Sequence, residues 1–237
     1  MSRYIYVCLV SLFWLITNSY SLPPTNFSQA KKIAGQIFSE NPQTLYCGCR
    51  YAADKTIDLD SCSMQAAQEI PRAHRMEWEH MMPAENFGRQ LSCWREKICS
   101  GNDEKTYKGR KCCAKASNEF RQMEGELYNL WPAVGLVNQA RSNYRFSDFG
   151  FKSSISNFYG CSILIDHETK QVEPRDLTKG IVARANLFMS ITYGIKLSHS
   201  QQALFEVWNK QYPPSEWEKK WAKQVAYIEG YINPYIK

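Results

Sequence analysis

Glu77-Trp78-Glu79-His80-Met81-Met82-Pro83 is the stretch on which the reading of this chain turns. Met76 to His80 reads as a short strand, and Pro83 marks its end because proline has no N–H to give to a ladder. Only four histidines occur, at 74, 80, 167 and 199, so a histidine-based mechanism has few candidates. His80 has a carboxylate directly before it. Such a pair offers an anion to a hard divalent cation and an imidazole that can take a proton from water attacking phosphorus. Neighbours on a regular strand point to opposite faces, so the two converge only where the strand ends, bulges or twists. Taken alone, the dipeptide is a weak signal and more often marks a structural, surface or half-buried histidine, so both readings stay open here.

Downstream lies Tyr128-Asn129-Leu130-Trp131-Pro132, running through Asn138 to Arg141-Ser142-Asn143. Proline suits a first helical turn, so a helix is expected from Pro132. On it Val134, Asn138 and Arg141 share one face, which carries an amide oxygen for a metal and a guanidinium for a phosphate. Asn129 precedes Asn138 by about two and a half turns and falls off that face, so it reads as a cap or loop brace. Two asparagines that merely cap helix ends are the competing reading.

The 29 Lys and Arg against 23 Asp and Glu leave +6, or +5 once Arg3 is set aside. That mild excess permits a nucleic-acid ligand without demanding one. Its placement says more, because Lys105, Lys108, Arg110, Lys111, Lys115 and Arg121 crowd one stretch, with Arg141 and Arg145 following. A solvated basic face is the alternative.

At the N-terminus Arg3, an apolar run and Ser19-Tyr20-Ser21 form the pattern of a secretory signal peptide over residues 1–21. The run is shorter than the roughly 20 residues of a membrane span, which makes an anchor the weaker choice. Nine cysteines occur, and loss of Cys8 with the leader leaves eight. An even number in an oxidising compartment points to disulfides. Cys47 and Cys49 are one residue apart and Cys112 and Cys113 are adjacent, so each is expected to bridge to a distant partner.

The remaining elements are expected as follows. Asn26 or Ser28 caps a helix to Phe38 with Ile33, Ala34 and Ile37 inward. Short strands and loops run from Tyr46 to Gln68, and a long helix from Ala114 to Leu127. Ser162 to Glu173 forms a hairpin around His167-Glu168-Thr169-Lys170. Helices follow over Thr178–Tyr193, Ser198–Gln211 and Ser215–Tyr227. No repeat or linker divides the chain, so an α+β fold, richer in helix than strand, is expected as one domain over 22–237.

Together these motifs resemble the bacterial endonuclease I family of periplasmic and secreted nucleases. The resemblance rests on Glu77 to Gly88, Lys108 to Cys112, Tyr128 to Asn143, Val172-Glu173-Pro174 through Met189, Trp208-Asn209-Lys210 and Asn233-Pro234-Tyr235, all in the family's order. It implies the ββα-metal, or His-Me finger, core, disulfide-stabilised and carrying additional helices. It further implies His80 as general base, Glu79 and Asn138 as ligands of Mg2+, which Mn2+ or Ca2+ could replace, and Arg110 on the scissile phosphate. The expected activity is sequence-nonspecific hydrolysis of DNA and RNA by a monomer, periplasmic or secreted, with no stable membrane association once the leader is gone.

Residues Glu96 to Tyr107 look like an insertion relative to shorter relatives and shift the position matched to Arg110; Arg95 and Arg141 are the alternatives. His74, His167 and His199 match nothing catalytic, and Trp208, Trp217 and Trp221 read as core. A secreted disulfide-rich binding protein, and a nuclease restricted to RNA, are the competing functional readings.

Overall fold

The side chain of Asn26 accepts the Gln29 N–H and so starts the first helix, α1 (Phe27–Phe38), as its residue type predicts. Ala30, Ala34, Ile37 and Phe38 are buried, while Ile33 is only partly so. The computed structural model describes residues 22–102, 104–150 and 155–237; the expected leader, 1–21, lies outside them.

Beyond α1, strands β1 (Arg50–Tyr51) and β2 (Ile57–Asp58) pair antiparallel. β3 (Met76–His80) follows, then the short helices α2 (Ala84–Gly88) and α3 (Ser92–Arg95). A small hairpin of β4 (Cys99–Ser100) and β5 (Thr106–Tyr107) occupies the expected insertion. α4 (Arg110–Ala116) and α5 (Asn118–Gly125) lead to β6 (Leu130–Val134) and α6 (Gly135–Arg141). β7 (Arg145–Phe146), β8 (Leu164–Asp166) and β9 (Gln171–Glu173) form one sheet in the order β7-β9-β8. The helices α7 (Asp176–Tyr193), α8 (His199–Gln211) and α9 (Glu216–Glu229) complete a mixed helix-and-strand fold. No helix among the described residues is long and apolar enough to cross a membrane.

The hairpin of β8 and β9 and the three C-terminal helices stand where the sequence puts them, with Ser198 and Ser215 capping α8 and α9. Two expectations need correction. The segment from Ala114 to Leu127 is two helices, because Ser117 takes extended backbone and its hydroxyl accepts the Phe120 N–H, capping a fresh start. Nor does a helix begin at Pro132. That residue is the centre of β6, opposite Trp78, and helix begins only at Gly135. The sheet has two strands, so β6 keeps an edge on which a missing N–H breaks no ladder bond. The Pro132 carbonyl accepts the Leu45 N–H at 2.7 Å.

β3 and β6 run antiparallel with Glu79 opposite Trp131 and His80 opposite Leu130. Of their ten residues only Glu77 is not fully buried. Phe38 from α1 backs them, with its ring centroid 5.8 Å from Trp78, 4.8 Å from Trp131 and 6.3 Å from Trp221. Burying each such large apolar side chain contributes about 1.5–3 kcal/mol. Trp208 and Trp221 are core residues and Trp217 is packed against the core, as read from the sequence.

Four disulfides join Cys47 to Cys161, Cys49 to Cys62, Cys93 to Cys113 and Cys99 to Cys112. Neither close-spaced pair bridges itself, as their spacing requires. The bridge from Cys99 fastens the β4–β5 hairpin to α4 and the bridge from Cys93 fastens α3 to it, so the helix that opens with Arg110 is held from two sides.

Candidate active site

His80 is the last residue of β3, and from it the chain turns away through Met81-Met82-Pro83 into α2. Its ring lies between Phe27, at 4.8 Å, and Phe87, at 6.2 Å between centroids. Nε2 is 2.8 Å from the Glu124 carbonyl oxygen. A carbonyl only accepts, so Nε2 carries the proton and Nδ1 is left as the ring's acceptor. Burial, with the charges of Arg110 and Arg141 adding to it and the Glu124 carbonyl opposing, lowers the imidazole pKa to about 3. The ring is therefore neutral at physiological pH, the form a general base needs.

Glu79 is 2% exposed. Its Oε1 accepts the Tyr46 hydroxyl at 2.6 Å and faces the Arg141 guanidinium at 3.1 Å. Oε2 takes no hydrogen bond among the described residues. Burial raises the carboxyl pKa, against the pull of Arg141 and Tyr46. Arg141 is buried as well and also donates to the carbonyls of His80 and Met81, at 3.2 and 2.6 Å. It thus holds the acid in place and ties α6 to the end of β3.

Asn138 is on α6, and its Nδ2 donates to Glu77 Oε2 at 3.3 Å. Its Oδ1 takes no hydrogen bond among the described residues. Arg110, the first residue of α4, is about half exposed; its Nε donates to Glu124 Oε1 at 2.6 Å, and its guanidinium lies over the Phe27 ring at 5.4 Å.

These four expected residues, His80, Glu79, Asn138 and Arg110, line one cavity of about 520 Å³. Lys31, Lys55, Arg72 and Arg141 line it too, so five cations meet two carboxylates, Glu77 and Glu79. Lys31 and Lys55 have no carboxylate partner among the described residues. The cleft is therefore electropositive and suited to phosphate. Among the described residues no group of three or more His, Cys, Asp or Glu side chains could hold a metal ion. Glu79 and Asn138 each bring to the cleft wall one oxygen without a hydrogen bond among the described residues, a candidate donor set made of oxygen alone. Such a set matches a hard cation that keeps most of its coordination for water and phosphate.

The sequence profile of the Endonuclease I family matches residues 15–237. The chain belongs to that family. An extracellular deoxyribonuclease of Aeromonas hydrophila is 40% identical over 224 residues, covering 92% of each chain. A periplasmic deoxyribonuclease of the same species is 39% identical over 216 residues, 89% of this chain and 85% of its own. Endonuclease-1 of Buchnera aphidicola subsp. Baizongia pistaciae is 40% identical over 215 residues, covering 89% and 82%.

In this member of the endonuclease I family the alternatives to Arg110 are placed elsewhere or engaged. Arg95 donates to the carbonyls of Arg89 and Gln90 and is not on the cleft wall. Arg141 is committed to Glu79 and to backbone. Asn129 is a brace, accepting the Met82 N–H at 2.7 Å and donating to the Met82 carbonyl at 3.0 Å. His74 contacts the Gln68 carbonyl, His167 the Tyr144 hydroxyl, and His199 opens α8, all away from the cleft. Sequence reasoning missed Tyr46, Arg72, Glu124, Lys31 and Lys55. Tyr46 lies 33 positions before Glu79 and carried no local signal. Glu77 stood in the deciding motif, two residues from Glu79 and hence on its strand face, a spacing that could have marked it.

Proposed function

We propose that the cleft hydrolyses phosphodiester bonds of DNA and RNA, without reading base sequence, in a Mg2+-dependent reaction outside the cytoplasm. The observation that carries this is the meeting, in one electropositive cavity, of a neutral imidazole whose Nε2–H is already committed with Glu79, Asn138 and Arg110. The antiparallel pair of β3 and β6 running directly into α6 supports the ββα-metal reading of the core.

His80 takes the proton of the attacking water at Nδ1, while the Glu124 carbonyl holds the ring through Nε2. Arg110 faces the charge that builds on the non-bridging oxygens. Glu79 and Asn138 would hold the divalent cation, which supplies charge neutralisation at the reacting phosphate when bound; Mg2+, Mn2+ and Ca2+ all suit oxygen donors. Lys31 and Lys55 grip the backbone, and contact with phosphates carries no base information, which favours nonspecific cutting.

The names of the extracellular and periplasmic deoxyribonucleases among its relatives support DNA as a substrate and export as the destination, with residues 1–21 as the signal peptide. Pairing of all eight described cysteines suits the oxidising compartment that export would provide. We read the protein as a monomer of one nuclease domain, 22–237. The test is incubation of the disulfide-bonded protein with supercoiled plasmid and, separately, with RNA, in Mg2+ and in EDTA. Both polymers are expected to be cut in Mg2+ and neither in EDTA. Intact polymers in Mg2+ across varied salt and pH would leave a binding protein, and cutting in EDTA would remove the cation from the mechanism.

A further inference from the structure

We propose that Glu77, clamped by Arg72, is a positioning residue that decides which end of the Asn138 amide faces the cleft. This rests on the reading of Asn138 as a cation ligand. An asparagine amide has two ends of nearly equal shape and opposite polarity, and only the oxygen end can take a cation. The choice between them needs a partner that accepts and never donates. A carboxylate is such a partner. Glu77 Oε2 receives Nδ2 at 3.3 Å, which turns Oδ1 away from it.

Glu77 is itself held from the other side. Arg72 donates to both of its oxygens, Nε to Oε1 at 3.0 Å and Nη2 to Oε2 at 2.8 Å, and Arg75 adds a contact at 3.6 Å. The fork fixes the carboxylate's plane and balances its charge, so that it serves the amide and does not compete for the cation. The helix carrying Asn138 is seated on the same pair. Gly135 donates its N–H to the Arg75 carbonyl at 2.8 Å. A Cβ there would come within 2.9 Å of both Glu77 Oε1 and the Arg72 carbonyl oxygen. Glycine is needed for α6 to begin so close to Glu77, and that closeness brings Asn138, one turn later, to its partner.

The test is a calorimetric titration of Mn2+ into the disulfide-bonded protein without substrate. Glu77→Met keeps the length of the side chain and removes both acceptor oxygens, so nothing is left to receive the Asn138 NH2. The expected result is Mn2+ binding weakened about 10–100-fold, the usual effect of losing a group that orients a ligand. Asn138→Asp in the Glu77→Met background presents oxygen at either end and is expected to restore binding to within about threefold of the unsubstituted protein. Cleavage should follow, with the Mn2+ requirement raised while the rate at saturating Mn2+ changes little.

Mn2+ binding unchanged in Glu77→Met, or a loss that Asn138→Asp does not restore, would overturn the proposal. Glu77→Ala serves with the same outcomes if Glu77→Met does not fold. Asn138→Ala separates the two levels of the argument. If it weakens Mn2+ binding and Glu77→Met does not, only this inference fails; if Asn138→Ala leaves binding unchanged, the ligand assignment fails with it.

Discussion

In the cleft Glu79 is buried against Arg141, whereas outside it Glu126 and Glu229 are buried against each other and two tyrosines. The first site matches an acid with a base at 3.1 Å. In the second, Tyr231 donates to Glu126 at 2.7 Å and lies 3.3 Å from Glu229, while Tyr193 donates to Glu126 at 2.7 Å. No lysine or arginine contacts that pair among the described residues. Burial raises both carboxyls there, that of Glu229 up to about 8, with the charge of Glu126 adding to the effect on Glu229. Tyr128, Tyr193 and Tyr231, the other titratable groups facing the pair, are raised as well, chiefly by burial.

The difference separates two tasks. A buried carboxylate with a guanidinium beside it has help in staying charged, which the proposed role of Glu79 requires. A carboxyl pair without one has to keep a proton, and serves as a bracket. Glu229 accepts the Leu127 N–H and Glu126 the Tyr128 N–H, which ties α9 to the turn that feeds β6 and, through it, His80.

Three experiments would break or sharpen this contrast. The largest effect is expected from His80→Ala, which should lower the cleavage rate about 10²–10⁴-fold, the range for losing a general base. Nucleic-acid binding in EDTA should be retained, and plasmid nicking at an undiminished rate would remove the imidazole from the chemistry. Next is Arg141→Met, which strands Glu79 without a counter-charge and should reduce unfolding free energy by about 3–5 kcal/mol in urea. Adding Glu79→Gln should return part of that loss. If the double variant were no more stable than the single one, the ion pair would not be what steadies the cleft.

The smallest effect concerns pH. A folded-state value of about 8 for Glu229 lies above the ordinary carboxyl value of 4.5, so the folded chain keeps a proton that the unfolded chain releases between those limits. The resulting stabilisation is complete below about 4.5 and is lost as pH rises through about 8, by at most about 1.4 kcal/mol per pH unit. Glu229→Gln should flatten that slope, measured as urea stability from pH 5 to 9. An unchanged slope would show that the bracket carries no extra proton.

Much of the cleft was legible because its members lie in short motifs with local signals. Glu79 and His80 stood before a strand-ending proline, and Asn138 and Arg141 kept helical spacing, so four of the residues around the site could be named without a fold. Arg141 was readable as a cation on that helix face, but not as one turned inward against Glu79, because its burial depends on β3 lying across it. Pro132 misled for a related reason. Proline is tolerated both in a first helical turn and on a strand edge, and only pairing with Trp78 chooses between them.

What the sequence by itself determined was local. The Asn26 cap, the strand ending at His80, the C-terminal hairpin and helices, and the need of close cysteines for distant partners all follow from properties of neighbouring residues. Tertiary structure alone decided which cysteines join, across up to 114 positions, that Tyr46 and Arg141 hold Glu79, and that Glu77 holds Asn138. The physical reason is that backbone preference acts over a few residues, whereas a buried charge or an amide finds its partner only after distant segments have packed.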